Sequence, residues 1–143
     1  MRASGLLDLA NVASPAPRVA TKQEIETSHD PDYVSIVEAI SNGAIAPGMG
    51  EFGLGSSDNP VRPGIYETTA LCVGSTLTAS ELVTSGKADV AFAPAGGVHH
   101  HAMPRSAAGF GIFNDAVIAM NAMVEAGLRV AYIDIDCHHG DGV

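Results

Sequence analysis

Two apolar runs, ADVAFAPAGG (88–97) and RVAYIDID (129–136), flank the helical pattern NDAVIAMNAMVEAG (114–127), and this order limits the fold more than any other feature. Runs that are apolar without alternation are what strands covered on both faces look like. A helical crossover joins parallel neighbours, because antiparallel ones need only a short turn. The expectation is an α/β fold: a parallel sheet with flanking helices, strands near 89–94 and 130–135 adjacent, and helix 113–126 as their crossover. Asn114 would cap that helix, with Val117, Met120 and Val124 on its inner face. Upstream, SHDPDYVSIVEAISNG carries a capping Asp30, a Pro31 suited to the first helical position, and an Asn42-Gly43 stop. Tyr33, Ile36, Val37 and Ile40 share one face of this helix, with Val34 beside it. A longer helix is expected from about Pro63 to Ser85, with Ile65, Leu71, Val73, Leu77 and Leu82 as its main apolar residues. Gly74 in its middle costs about 1 kcal/mol against alanine, and close packing would offset that. Residues 1–9 read as the tail of a helix, 10–22 as a connector and 43–64 as a glycine- and proline-rich loop.

At 143 residues the chain makes one domain at most, and 46% apolar against 16% charged residues allows a core rather than disorder. Seven basic residues against sixteen acidic ones give a net charge of −9, which argues against direct nucleic-acid binding. No apolar run is long enough for a membrane helix, and the start lacks a signal-peptide pattern. Cys72 and Cys137 make no disulfide framework, so a reduced, cytoplasmic setting is expected.

Gly48, Gly50 and Gly53 match the spacing of a dinucleotide-binding turn, but no strand precedes them and no helix follows, so a loop is expected. The chemistry lies in GGVHHHAMPRSAAGF (96–110) and DIDCHHGDG (134–142). Each follows the C-terminal end of an expected parallel strand, where open α/β sheets bind ligands. In an extended segment Asp134, Asp136 and His138 project to one side, and Cys137 to the other, into the sheet packing. The Asp136 carboxylate and the His138 imidazole suit zinc, with a third ligand coming from elsewhere. Asp134 and Asp141 would each hold one nitrogen of a histidine, presenting the other in a fixed tautomer. Such a concentration of polar groups beside buried strands points to a functional pocket rather than a solvated metal-scavenging tract. His29 and Cys72 read as core residues.

At these residues the chain resembles the histone deacetylase superfamily, closest to its bacterial acetoin-utilisation branch. The matching segments are GLGSSDNPVRPGIYE, GGVHHHAMP…AAGFGIFND and YIDIDCHHGDGV, in the family's order and over essentially the whole chain. The resemblance implies an arginase-like α/β fold and zinc-dependent hydrolysis of an acetylated amine, typically N-acetyl-lysine. An acetylpolyamine or other small amide as substrate, or a non-catalytic fragment, are the alternatives.

By the same resemblance, Asp136 and His138 are zinc ligands, and Asp134 and Asp141 orient the two active-site histidines. Asp58 grips the substrate backbone, Gly109 and Phe110 wall the acyl-lysine tunnel, and backbone oxygens around Asp134, Asp136 and His138 hold a structural potassium. The family has two histidines where this chain has His99, His100 and His101. Counting back from Gly109 selects His100 and His101, counting forward from Val98 selects His99 and His100, and the first keeps the loop at family length. His101 would then be the general base, with His100 tuning the electrostatics. Gly111 stands where the family usually has cysteine. Residues 1–143 would form part of one catalytic domain, with the first strand lying before them, and the third zinc ligand and a transition-state tyrosine after Val143.

Overall fold

The structure is a computed structural model and describes residues 4–143. Among the described residues four α-helices order the chain: α1 (Lys22–Ile25), α2 (Pro31–Ser41), α3 (Ile65–Thr84) and α4 (Asp115–Glu125). Single 3-10 turns form at Leu6–Asp8 and Met49–Phe52. Of the helix tail expected over residues 1–9, residues 1–3 lie outside the described residues, and the rest holds only the first of those turns.

Local signals set the helix ends. The Asp30 side chain accepts from the backbone N–H groups of Asp32 and Tyr33, and Pro31 opens α2. Asn114 accepts from the Val117 N–H at the start of α4. α1 falls where a connector was expected, although Thr21 and Glu24 form a reciprocal capping box whose spacing is visible in the sequence. Arg18 bridges Glu24 and Glu81 at 2.6 Å each, tying α1 to α3 and holding the Glu24 carboxyl down at about 2.

α3 packs against both α2 and α4. Tyr33, Val34, Val37 and Ile40 from α2 meet Ala70, Val73 and Leu77 from α3 in one core, with Ile118 and Ala119 from α4. Phe113 anchors it, edge-on to Tyr33 and Tyr66 at 6.0 and 5.8 Å between ring centroids. The Tyr33 hydroxyl donates to the Ile112 carbonyl at 2.8 Å, so its one polar atom is satisfied.

The inner face of α4 differs from the expected one. Asp115, Ile118 and Ala119 are buried, Val117 and Met120 only partly, and Val124 is exposed. The helix is apolar nearly all round, so periodicity does not select a face; the anchoring of Asn114 and Asp115 at its start does.

The expected pair of parallel strands does not form. Among the described residues the only β pairings are the isolated antiparallel bridges Met103–Ser106 and Ala108–Gly111. Val90 and Phe92 are 85% and 73% exposed, and Ile133 and Ile135 are 82% and 95% exposed. Strand structure is a property of pairs, and neither run has a ladder partner to satisfy its backbone or cover its side chains.

Gly74 is required by a close approach. A Cβ there would run into the Arg18 carbonyl oxygen and lie 2.8 Å from the Ala20 nitrogen. Residues 18–20 lie along α3 at this point, with the Ala20 N–H donating to the Ala70 carbonyl at 3.0 Å. Gly74→Ala would gain about 1 kcal/mol in helix propensity. Overpacking against backbone typically costs about 1–3 kcal/mol, so a lower melting temperature is expected. An unchanged or raised one would show that the 18–20 segment yields.

Candidate active site

The site is built where α4 begins. Asp115 is fully buried, and its Oδ2 accepts from the Thr76 hydroxyl at 2.5 Å and from the Gly97 N–H at 3.0 Å. Gly97 lies two residues before the histidine run, so this carboxylate holds the turn that launches it. His99 points inward: it is buried, and its Nδ1 accepts from the Ile112 N–H at 3.3 Å. Burial pushes the His99 imidazole below its ordinary range, with the Asp115 charge opposing.

His100 and His101 face the other segment instead. The His100 Nδ1 lies 2.9 Å from Asp134 Oδ2, and the His101 Nδ1 lies 2.6 Å from Asp141 Oδ1. The two rings are 4.2 Å apart. Both carboxylates therefore engage the same nitrogen of their histidine, leaving each Nε2 for the space beyond. The Asp134 carboxyl is held well below the usual range, first by the Tyr132 hydroxyl, then by His100 and by the Asp136 N–H. That hydroxyl donates to Asp134 Oδ2 at 2.6 Å. Burial, followed by the hydrogen bond to Asp134, pushes Tyr132 up to about 12, so it stays a protonated donor at neutral pH. His101 holds the Asp141 carboxyl down in the same way.

Asp136 and His138 do lie together: Asp136 Oδ1 accepts from the His138 N–H at 2.7 Å and is 3.1 Å from its Nδ1. The His100 Nε2 is 3.9 Å from the same oxygen, and the His101 and His138 rings are 6.0 Å apart. Cys137 is not where alternation puts it. Its sulfur is exposed and 3.4 Å from the His138 Nδ1. The reason is local. The Asp136 N–H donates to Asp134 Oδ1 and the His138 N–H to Asp136 Oδ1, and such side-chain turns coil the backbone away from a two-residue repeat. Among the described residues no sheet is present to bury the thiol. Asp136, Cys137 and His138 offer an oxygen, a sulfur and a nitrogen all within 4.8 Å of one another. That donor set fits a borderline-soft divalent ion such as zinc.

Gly109 sits against the His101 imidazole with no room for a side chain. Phe110, next to it, is exposed and has φ of 68°, the one left-handed non-glycine among the described residues. That conformation stores on the order of 1 kcal/mol, and such strain concentrates at functional sites. Asp58 is exposed on the neighbouring loop, where its carboxylate accepts from the Ser57 hydroxyl at 3.2 Å. This loop docks on the histidine segment through the Ala107 N–H, which donates to the Phe52 carbonyl at 2.8 Å. Gly48 and Gly53 flank its 3-10 turn, away from any strand or helix start. Cys72 is half-buried on α3, and burial pushes its thiol up. His29 is buried among Tyr33 and Phe113, and its Nε2 accepts from the Asn114 N–H at 2.8 Å.

Tyr132, Thr76 and Asp115 were not foreseen in the sequence. Tyr132 carried a signal, since it stands two residues before Asp134 in the same apolar run. Asp115 carried none, because an acidic residue in a first helical turn ordinarily faces water.

The family described as Histone deacetylase domain matches residues 1–143. The chain is similar to the acetoin utilization protein AcuC of Bacillus subtilis, 43% identical over 129 residues, which is 89% of this chain and 33% of that protein. It is 40% identical to histone deacetylase 8 of Danio rerio over 145 residues, covering 100% of this chain and 37% of that one. A crystal structure of an HDAC homolog complexed with SAHA superimposes with a TM-score of 0.80 at 36% identity, covering 88% of this chain and 34% of the other. A crystal structure of an HDAC homolog from Aquifex aeolicus matches with the same values. The chain thus spans about a third of the length of the relatives it matches. The deacetylase fold is therefore shown for it, and among the described residues no helix is long and apolar enough to cross a membrane.

Proposed function

The chain belongs to the histone deacetylase family, and on that premise we propose that it carries the histidine half of a zinc-dependent active site that hydrolyses N-acetyl-lysine or a similar acetylated amine. The observation that carries this reading is the pair of histidine–carboxylate contacts, His100–Asp134 and His101–Asp141, side by side and next to Asp136 and His138. The relatives' names and the SAHA complex of one neighbour support the same substrate class.

Asp136 and His138 would hold the metal, which would supply Lewis-acid polarisation of the acetamide carbonyl. The chain's own groups then move the protons. His101, with its Nδ1 held by Asp141, takes a proton from the attacking water at Nε2. The water oxygen bonds to the carbonyl carbon, and the C–N bond breaks as the same Nε2 returns the proton to the leaving amine. Acetate and a free amine result. His100, fixed by Asp134, favours the negative charge that develops on the oxygen. Gly109 and Phe110 would line the channel for a linear acylated side chain, and Asp58 would bind its backbone. The resemblance also assigns a structural potassium to the backbone around Asp134, Asp136 and His138. The free thiols of Cys72 and Cys137 accord with a cytoplasmic protein.

The test is acetate release from an N-acetyl-lysine peptide by the natural-length protein carrying this sequence. Release should cease on chelation and return with added zinc. Hydrolysis that persists unchanged in chelator, or no hydrolysis in the presence of zinc, would overturn the assignment.

A further inference from the structure

We propose that Asn114 is a positioning residue for both histidine–carboxylate pairs, tying the two segments of the site to each other and to the start of α4. The proposal rests on the function given above, in which those pairs carry the reaction. Asn114 is 1% exposed, and all its polar atoms are engaged. Its Oδ1 accepts from the Val117 N–H at 3.2 Å, which is the helix cap. Its Nδ2 donates to the Ala102 carbonyl at 3.2 Å and to the Gly142 carbonyl at 3.0 Å. Ala102 follows His101 and Gly142 follows Asp141, so one amide group holds the chain just beyond both members of that pair. The Gly142 N–H in turn donates to the His100 carbonyl at 2.8 Å, which brings the second pair into the same clamp.

The chemistry of the residue separates two roles. A helix cap needs only an acceptor, which aspartate or serine supplies as well as asparagine does. Two donor bonds to two carbonyls need a carboxamide. Without the amide, the carbonyl of buried Ala102 has lost this donor, a costlier state than a merely exposed one. The fit is also tight from the other side. A Cβ on Gly142 would lie 2.6 Å from the His100 carbonyl oxygen and 2.9 Å from Asn114 Nδ2, so the segments meet with no room for a side chain.

Asn114→Asp and Asn114→Ser keep the cap acceptor and remove the amide donor. In the metal-free chain, hydrogen exchange at the Gly142 amide should quicken by about tenfold or more in both variants, as expected for loss of two hydrogen bonds. The low-field Nδ1–H resonance of His101 facing Asp141 should vanish. The Ile118 amide, bonded to the Asn114 carbonyl at 3.1 Å, should keep its protection and show that α4 is intact. Unchanged Gly142 exchange and an unchanged His101 resonance, with α4 intact, would overturn the proposal. Should α4 melt in these variants, Gly142→Ala reads the same contact from the surface segment. Its methyl group displaces the amide, and the His101 resonance should be lost with Ile118 still protected; persistence of that resonance would equally overturn the proposal. These readouts need neither zinc nor substrate, so failure of the proposed function, seen as no acetate release from the natural-length protein, is read separately.

Discussion

Replacing His101 with alanine in the natural-length protein is expected to lower kcat for acetate release by about 10²–10⁴-fold, with little change in KM. In the proposed mechanism this imidazole moves a proton both to and from the reacting centre, and its Nδ1 is held at 2.6 Å by Asp141. It makes no contribution to the apolar core, so the loss should fall on the chemical step rather than on folding. His100→Ala removes electrostatic support for the developing negative charge instead, so it too should lower kcat. A His101→Ala protein with near-normal kcat would transfer the proton role elsewhere and defeat the mechanism.

Acidification from pH 6.5 to 4 is expected to remove about 3 kcal/mol of stability through His29 alone. Burial lowers this imidazole from 6.5 to about 4, because the folded state keeps it neutral between Tyr33 and Phe113. Between those two values the unfolded chain binds a proton that the folded one does not, so stability falls as pH drops through this window. The contribution is fully present above pH 6.5 and exhausted below 4. His99, also lowered by burial, acts in the same direction. Below pH 4 the loss passes to Asp136, Asp141 and Glu24, whose carboxyls the fold holds down. Denaturant titrations of the wild type and His29→Leu across pH 4–7 measure it. The variant should be less stable at pH 7 yet show a flatter slope, and an identical slope in both would remove His29 as the cause.

Helix positions were legible because their determinants act over three or four residues. Asp30 with Pro31 and Asn114 with the following NH groups mark α2 and α4 whatever surrounds them. The capping box of Thr21 and Glu24 is equally local, but the prolines just before it, Pro15 and Pro17, favour a connector over the same stretch. Strand pairing, by contrast, depends on a neighbour distant in sequence. The runs at 89–94 and 130–135 have the composition of buried strands, and in this structure neither finds a ladder partner.

The sequence by itself determined the chemical inventory of the site and the two segments that hold it, because histidine, aspartate and their spacing are written along the chain. It also determined that a glycine within α3 marks close packing, which the backbone of residues 18–20 supplies. Only the tertiary structure decided which of three consecutive histidines turns inward. Their side chains differ in nothing but surroundings, and Ile112 offers His99 a donor while Asp134 and Asp141 lie opposite His100 and His101. It decided the buried face of α4, which is apolar nearly all round, and the exposure of Cys137, which follows from the side-chain turns at Asp134 and Asp136. It decided, finally, that Asn114 is more than a cap, since the carbonyls its amide reaches are twelve and twenty-eight residues away. Short-range hydrogen bonds can be read from neighbours in the chain, whereas burial and pairing are set by residues that only folding brings together.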